Sequence, residues 1–228
     1  MVSNTTVMVI DENLIVELER RGIVTPTFRK LAPAKKAVLY DAVMGEVAQS
    51  VFDRAALDNI AAAAEVSKGS LIQYFRNKNN MFFFTGEIFA GEYRQFLNDF
   101  HTREHAVRTG DRISNYFVGN LEYWERSRVQ FRFYMKLFFE NNASLTKSVC
   151  LLIRNLRMQS LKAIVSRGIE TGQIRRDIDI DPMAVILHSM LCELERMAAE
   201  TQVLTRNKPN IEAIAEKMVS AVLDGFKA

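Results

Sequence analysis

Between Ser67 and Lys78 the chain runs SKGSLIQYFRNK, with three basic side chains, Lys68, Arg76 and Lys78, and no acid. Ser67 has the type and place of a helix N-cap and Ser70 stands three residues on, so a short helix over 68–75 is expected, with Asn77 capping the next one. At about 100° per residue, Leu71 and Phe75 share one side, while Gly69, Ser70 and Gln73 lie opposite, flanked by Ile72 and Tyr74. Hydroxyls, an amide and cations grouped around a glycine, where a neighbouring backbone can come close, suit phosphate oxygens and base edges. The same residues also fit a short capped helix on a solvated corner, and their types alone leave both readings open.

The segment just before supplies the element that would position such a helix. Residues 55–64 carry Leu57, Ile60, Ala61 and Ala64 on one stripe, and a turn of about four residues separates that helix from the capped one, which is helix-turn-helix spacing. In that arrangement the second helix enters a DNA major groove about 12 Å wide. Lys35 and Lys36, at the start of an earlier helix, are candidate phosphate clamps, though paired lysines at a helix start also suit plain solvation.

Elsewhere the apolar residues recur at three and four, as in Ile113, Tyr116, Phe117, Leu121 and Trp124, or Met183, Ile186, Leu187, Met190, Leu191, Leu194 and Met197. Helical periodicity of this kind, with no alternating pattern competing, predicts an all-α chain. Of the four prolines, Pro33, Pro182 and Pro209 look like helix-start punctuation. Helices are expected near 34–51, 55–64, 68–75, 78–106, 110–126, 128–141, 145–171, 182–204 and 209–226, after an arm over 1–32 with a short helix in DENLIVELERRG. Short helices followed by long ones divide the chain into a small helical module at 33–80 and a larger bundle at 81–228.

The bulk numbers limit what the chain can be. With 228 residues, 48% hydrophobic, it has ample material for a core, and 30 Lys+Arg against 27 Asp+Glu leave a net charge of only +3. Any preference for polyanions must therefore come from where the charges sit. Cys150 and Cys192 lie in apolar helical sequence and suit buried free thiols of a reducing compartment. No window is long and apolar enough for a membrane span, and the N-terminus lacks a leader pattern; a cytoplasmic protein is expected. The three histidines, His101, His105 and His188, form no recognisable set with a cysteine or carboxylate. Neither an enzyme, a metal site nor a cofactor is therefore expected.

FDRAALDNIAAAAEVSKGSLIQYFRNKNNM, within 35–81, resembles the tetracycline-repressor-type (TetR) family of bacterial one-component transcription regulators. It follows the family's helix-turn-helix motif without gaps, including the phenylalanine-x-x-lysine signature at Phe75-Arg76-Asn77-Lys78. The resemblance implies a three-helix DNA-binding domain in which Lys35, Lys36, Arg54, Ser67, Lys68, Gly69, Ser70, Ile72, Gln73, Tyr74 and Lys78 meet DNA. The chain departs from the pattern where two threonines usually open the second helix, here Ala55-Ala56, where Val51 replaces a glycine, and where Ile72 replaces an aromatic. Asp53 and Arg54 are candidates to supply the missing cap and donor, and Ile72 to pack on a thymine methyl.

The resemblance further implies a bundle that holds a small-molecule effector and dimerises. Phe89, Tyr93, Phe117, Trp124, Phe138 and Met158 are the expected apolar lining, with Asn120 and His188 as polar groups inside the stripes; aromatic stripes of this kind equally suit plain core. The basic residues Arg126, Arg128, Arg132, Arg154, Arg157, Lys162 and Arg167 are expected mostly on solvated faces. The last two helices carry wide apolar stripes and are expected to form a homodimer interface. Two recognition helices about 34–36 Å apart would then read a palindromic double-stranded operator. The function implied is a repressor released by an apolar effector; the alternative is a helical ligand-binding protein of the same fold without operator binding.

Overall fold

A computed structural model describes residues 10–50, 56–139, 145–204 and 210–225. Their elements are all helices: α1 (Glu12–Arg20), α2 (Pro26–Arg29), α3 (Pro33–Gln49), α4 (Leu57–Ala63), α5 (Lys68–Phe75), α6 (Lys78–Arg103), α7 (Thr109–Arg126), α8 (Arg128–Phe139), α9 (Leu145–Glu170), α10 (Ile180–Leu204) and α11 (Ile211–Asp224). The all-α expectation holds, with boundaries close to those read from periodicity.

Local chemistry accounts for the starts. The carboxylate of Asp11 accepts from Asn13 N at 2.9 Å to open α1. Ser67 Oγ accepts from Ser70 N at 3.0 Å to open α5, and Asn77 Oδ1 accepts from Asn80 N at 2.8 Å to open α6. Each satisfies one of the amide groups that a helix N-terminus leaves without an intrahelical partner. The four-residue α2 was not anticipated: too short to show a period, it is set by its Thr25 cap, its first-turn Pro26 and burial of Phe28.

The described chain gathers into two compact units. The first holds residues 1–92 and 129–150, with Phe28, Tyr40, Phe75, Phe82, Phe84 and Phe89 fully buried. The second holds residues 93–128 and 151–228, with Tyr93, Tyr116, Phe117, Trp124, Leu187 and Leu191 in its core. Helices α6 and α9 each contribute to both.

Candidate nucleic-acid interface and buried polar centre

Helix α5 buries Leu71 and Phe75 completely and leaves Lys68, Gly69, Ile72 and Gln73 exposed, with Ser70 and Tyr74 half-buried. Its outward surface is therefore the small and polar face expected for reading DNA, with Ile72 as the apolar member at 42% exposure. Among the described residues a methyl group on Gly69 would meet only Ser67 Oγ, at an ordinary 3.6 Å, so none of them requires glycine there. Lys68 is not uncompensated, as its acid-free neighbourhood suggested: its ammonium pairs with Asp58 of α4 at 3.0 Å. Both partners are exposed, so the pair contributes little stability.

The far end of α5 is tied down by residues the sequence did not single out. Thr25 Oγ1 donates to Gln73 O at 2.9 Å, Thr25 N to Tyr74 O at 3.0 Å, and Asn80 Nδ2 to Phe75 O at 3.0 Å. These are carbonyls that a helix C-terminus would otherwise leave open. Phe28 adds an apolar contact, its ring 5.0 Å from that of Phe75 and 6.2 Å from that of Tyr74. The arm thus clamps the candidate reading helix from behind. A threonine before Pro26 was the available signal, since it marks an N-cap; its partners 48 residues on left none.

The two lysines of α3 leave the list of plain phosphate clamps. Lys36 is 1% exposed, and its ammonium lies 2.7 and 2.8 Å from the carboxylate oxygens of Glu12. Lys35 donates to the carbonyls of Ala64 and Glu65 at 2.7 and 3.3 Å, holding the turn between α4 and α5. Arg54 lies outside the described residues, as do Asp53, Ala55 and Val51. Ala56 has no side-chain cap of its own; Glu46 of α3 reaches across, accepting from Ala56 N at 2.9 Å and from Asn59 Nδ2 at 3.2 Å. A carboxylate therefore caps the corner for which Asp53 and Arg54 were the candidate cap and donor.

The residues proposed as effector lining divide between the units. Phe89 packs on Phe133 in the first, ring centroids 5.5 Å apart. Tyr93, Phe117, Asn120 and Trp124 are buried in the second, where Met158 and His188 are half-buried; the Phe138 side chain lies outside the described residues. Three of these, Tyr93, Asn120 and Trp124, meet around a residue assigned to a solvated face. Arg157 is 0% exposed, and its guanidinium binds both oxygens of the equally buried Glu195, at 2.9 and 2.5 Å.

A continuous chain of hydrogen bonds surrounds that pair. The indole N–H of Trp124 donates to Glu195 Oε1 at 2.5 Å, and Arg157 Nε donates to the Tyr93 hydroxyl at 2.7 Å. Tyr93 donates to Asn120 Oδ1, and Asn120 Nδ2 donates to Tyr116 O at 2.7 Å. The rings of Tyr93 and Trp124 stack 4° from parallel, 5.6 Å apart. The Tyr116 hydroxyl, beside Ser160 and Tyr93, is buried with no hydrogen bond of good geometry. Burial pushes it up to about 12, against a smaller opposing pull from Arg157. Burial and the positive charges of Arg157 and Arg154 push His188 down to about 4, so its imidazole is neutral near pH 7. Spacing gave a signal for both charged residues: Arg157 falls four from Ile153 and from Leu161, and Glu195 four from Leu191.

Another concavity, about 980 Å³, opens in the second unit between the start of α7, the 172–174 turn and α11. Its walls include Arg108, Asp111, Gln173, Glu216 and Leu223, and none of the proposed lining residues. Among the described residues no cluster of three or more His, Cys, Asp or Glu could hold a metal, and no helix is long and apolar enough to cross a membrane.

Residues 39–83 match the family described as bacterial regulatory proteins, tetR family. No curated protein matches it by sequence. Solved structures share the fold at low identity. A TetR family transcriptional regulator from Chloroflexus aurantiacus is 17% identical with a TM-score of 0.64, covering 90% of this chain and 99% of its own. The transcriptional regulator FadR from Bacillus subtilis, in complex with stearoyl-CoA, is 16% identical with a TM-score of 0.68, covering 84% and 99%. The ketosteroid transcriptional regulator KstR2 of Mycobacterium tuberculosis is 16% identical with a TM-score of 0.58, covering 87% and 97%.

Proposed function

We propose that this chain, whose helix-turn-helix belongs to the tetR family of bacterial regulatory proteins, is a cytoplasmic transcriptional repressor, not an enzyme, released from a palindromic operator by an apolar small-molecule effector. The observation that carries the reading is α5 itself: Ser67-capped, clamped at its other end by Thr25, and turning Gly69, Ile72 and Gln73 outward between Lys68 and Arg76. Residues 33–80 would bind DNA, and residues 81–228 would bind effector and dimerise. Val185 and Ile186, each 41% exposed on α10, favour the last two helices as the homodimer face. The similar FadR from Bacillus subtilis, in complex with stearoyl-CoA, and the similar ketosteroid transcriptional regulator support an apolar effector body. Release would be a population shift toward a state whose heads no longer match the operator spacing.

A second reading, a ligand-binding protein of this fold without operator binding, has its own observation. Glu46 of α3, which caps the start of α4, and Asp58 beside Lys68 place acids close to the surface that must face phosphate. Fluorescence anisotropy on the DNA flanking the coding region, across a salt series, decides between them. The repressor reading expects saturable, sequence-selective binding that weakens steeply with salt and is reduced by Gln73→Ala. Binding that is absent or indifferent to sequence selects the second reading.

A further inference from the structure

An arginine with no exposed surface is an expensive core residue. A buried ion pair seldom stabilises a protein more than well-packed apolar side chains of the same volume, because both ions are taken from water. In the second unit Arg157 and Glu195 are nonetheless held by groups from four helices: Tyr93 of α6, Asn120 and Trp124 of α7, Arg157 of α9 and Glu195 of α10. The arrangement around the Glu195 carboxylate is that of a receptor. Two guanidinium N–H groups take one oxygen each, and an indole N–H adds a third donor to Oε1. A planar fork of this kind recognises a planar two-oxygen anion. Tyr93 and Trp124 stack beside it, and the Tyr116 hydroxyl stands buried nearby without a hydrogen bond of good geometry, a donor that Glu195 does not use.

We propose that Arg157 is the anion-reading residue of the effector site, and that the effector is a monocarboxylic acid with an apolar aryl or alkyl body. Its carboxylate takes the place of Glu195 on the guanidinium and on Trp124. This rests on the effector-binding reading above and narrows it, since an apolar body alone would leave the buried charges unexplained. The exchange keeps the positive charge paired. Glu195, once displaced, cannot stay buried and ionised without a partner; it must take up a proton or turn toward water. Either course alters the environment of α10, one of the two helices proposed for the dimer face.

Trp124 is the chain's one tryptophan, so its emission reports directly on the indole that holds Glu195. The full-length protein without DNA is titrated with decanoate, phenylacetate and benzoate, each beside its methyl ester. The expected result is a saturable change in Trp124 emission for at least one acid, with its ester at least tenfold weaker. Isothermal titration of the Arg157→Met/Glu195→Leu double variant should show at least tenfold weaker acid binding. Tyr116→Phe, which deletes only a hydroxyl without a good partner, should weaken the acid severalfold and keeps the test valid where the double variant does not fold. The proposal is overturned by an unchanged emission with all three acids, by esters binding as well as acids, or by acid binding that survives these substitutions. Because the readout needs no DNA, a protein that binds acids but no operator refutes the repressor reading and leaves this one standing. A protein that binds operator but no acid does the reverse.

Discussion

Gly69 shows how a single residue separates folding from function. A methyl group there meets nothing closer than 3.6 Å among the described residues, and alanine is the better helix former by up to about 1 kcal/mol. Gly69→Ala should therefore raise the melting temperature slightly. If the glycine serves close approach to DNA, the same change should weaken operator binding roughly tenfold, about 1.4 kcal/mol; calorimetry and anisotropy on one preparation check both halves. At this scale the outward side chains of α5 were legible, since the cap and period fix which way each one points. Lys36 and Arg157 were not. Their charge suggested solvent or phosphate, whereas Lys36 finds Glu12 across 24 residues and Arg157 finds Glu195 across 38. No local pattern encodes a partner at such separations. Only the stripe spacing around Arg157 pointed inward.

At the scale of elements, the arm is part of the head. Thr25 and Phe28 hold the end of α5 although they precede the matched motif. Phe28→Ala should cost about 3–5 kcal/mol, as expected for a fully buried phenylalanine. Thr25→Val should cost roughly 1 kcal/mol for the lost cap and raise amide exchange at the end of α5 with little change elsewhere. The helices of the second unit meet at the Arg157–Glu195 pair, where Arg157→Met alone should destabilise by about 3–5 kcal/mol and the Arg157→Met/Glu195→Leu double variant should be neutral or more stable by about 1–4. Urea titration of the three proteins measures both. Element types and most boundaries followed from the 3.6 period and caps, because the long helices bury one face for many turns. Helix α2 escaped because four residues cannot display a period.

The whole molecule responds to pH and salt through groups that local sequence left ambiguous. His188 sits well below its ordinary value, at about 4, chiefly by burial. Between pH 6.5 and about 4 the unfolded chain therefore binds a proton there that the folded one does not. Stability from this group is complete above pH 6.5 and is lost as pH falls through that window, so His188→Gln should flatten the fall in melting temperature relative to wild type below pH 6.5. Salt tests the larger claim. A net charge of +3 is too small to draw the protein to DNA at long range, so binding must come from a few placed cations. If a dimer sets Lys68, Arg76 and Lys78 of each protomer on phosphates, about six contacts give a slope of log K against log salt near −5. Affinity would then fall about a thousandfold between 50 and 200 mM salt. Arg76 is the cleanest to remove, since its backbone φ of 65° suits glycine better than arginine. Arg76→Gly should keep or improve stability while making the slope shallower by about 2 across the dimer. An unchanged slope would place Arg76 off the DNA, and a change near 1 would mean that only one head of the dimer engages.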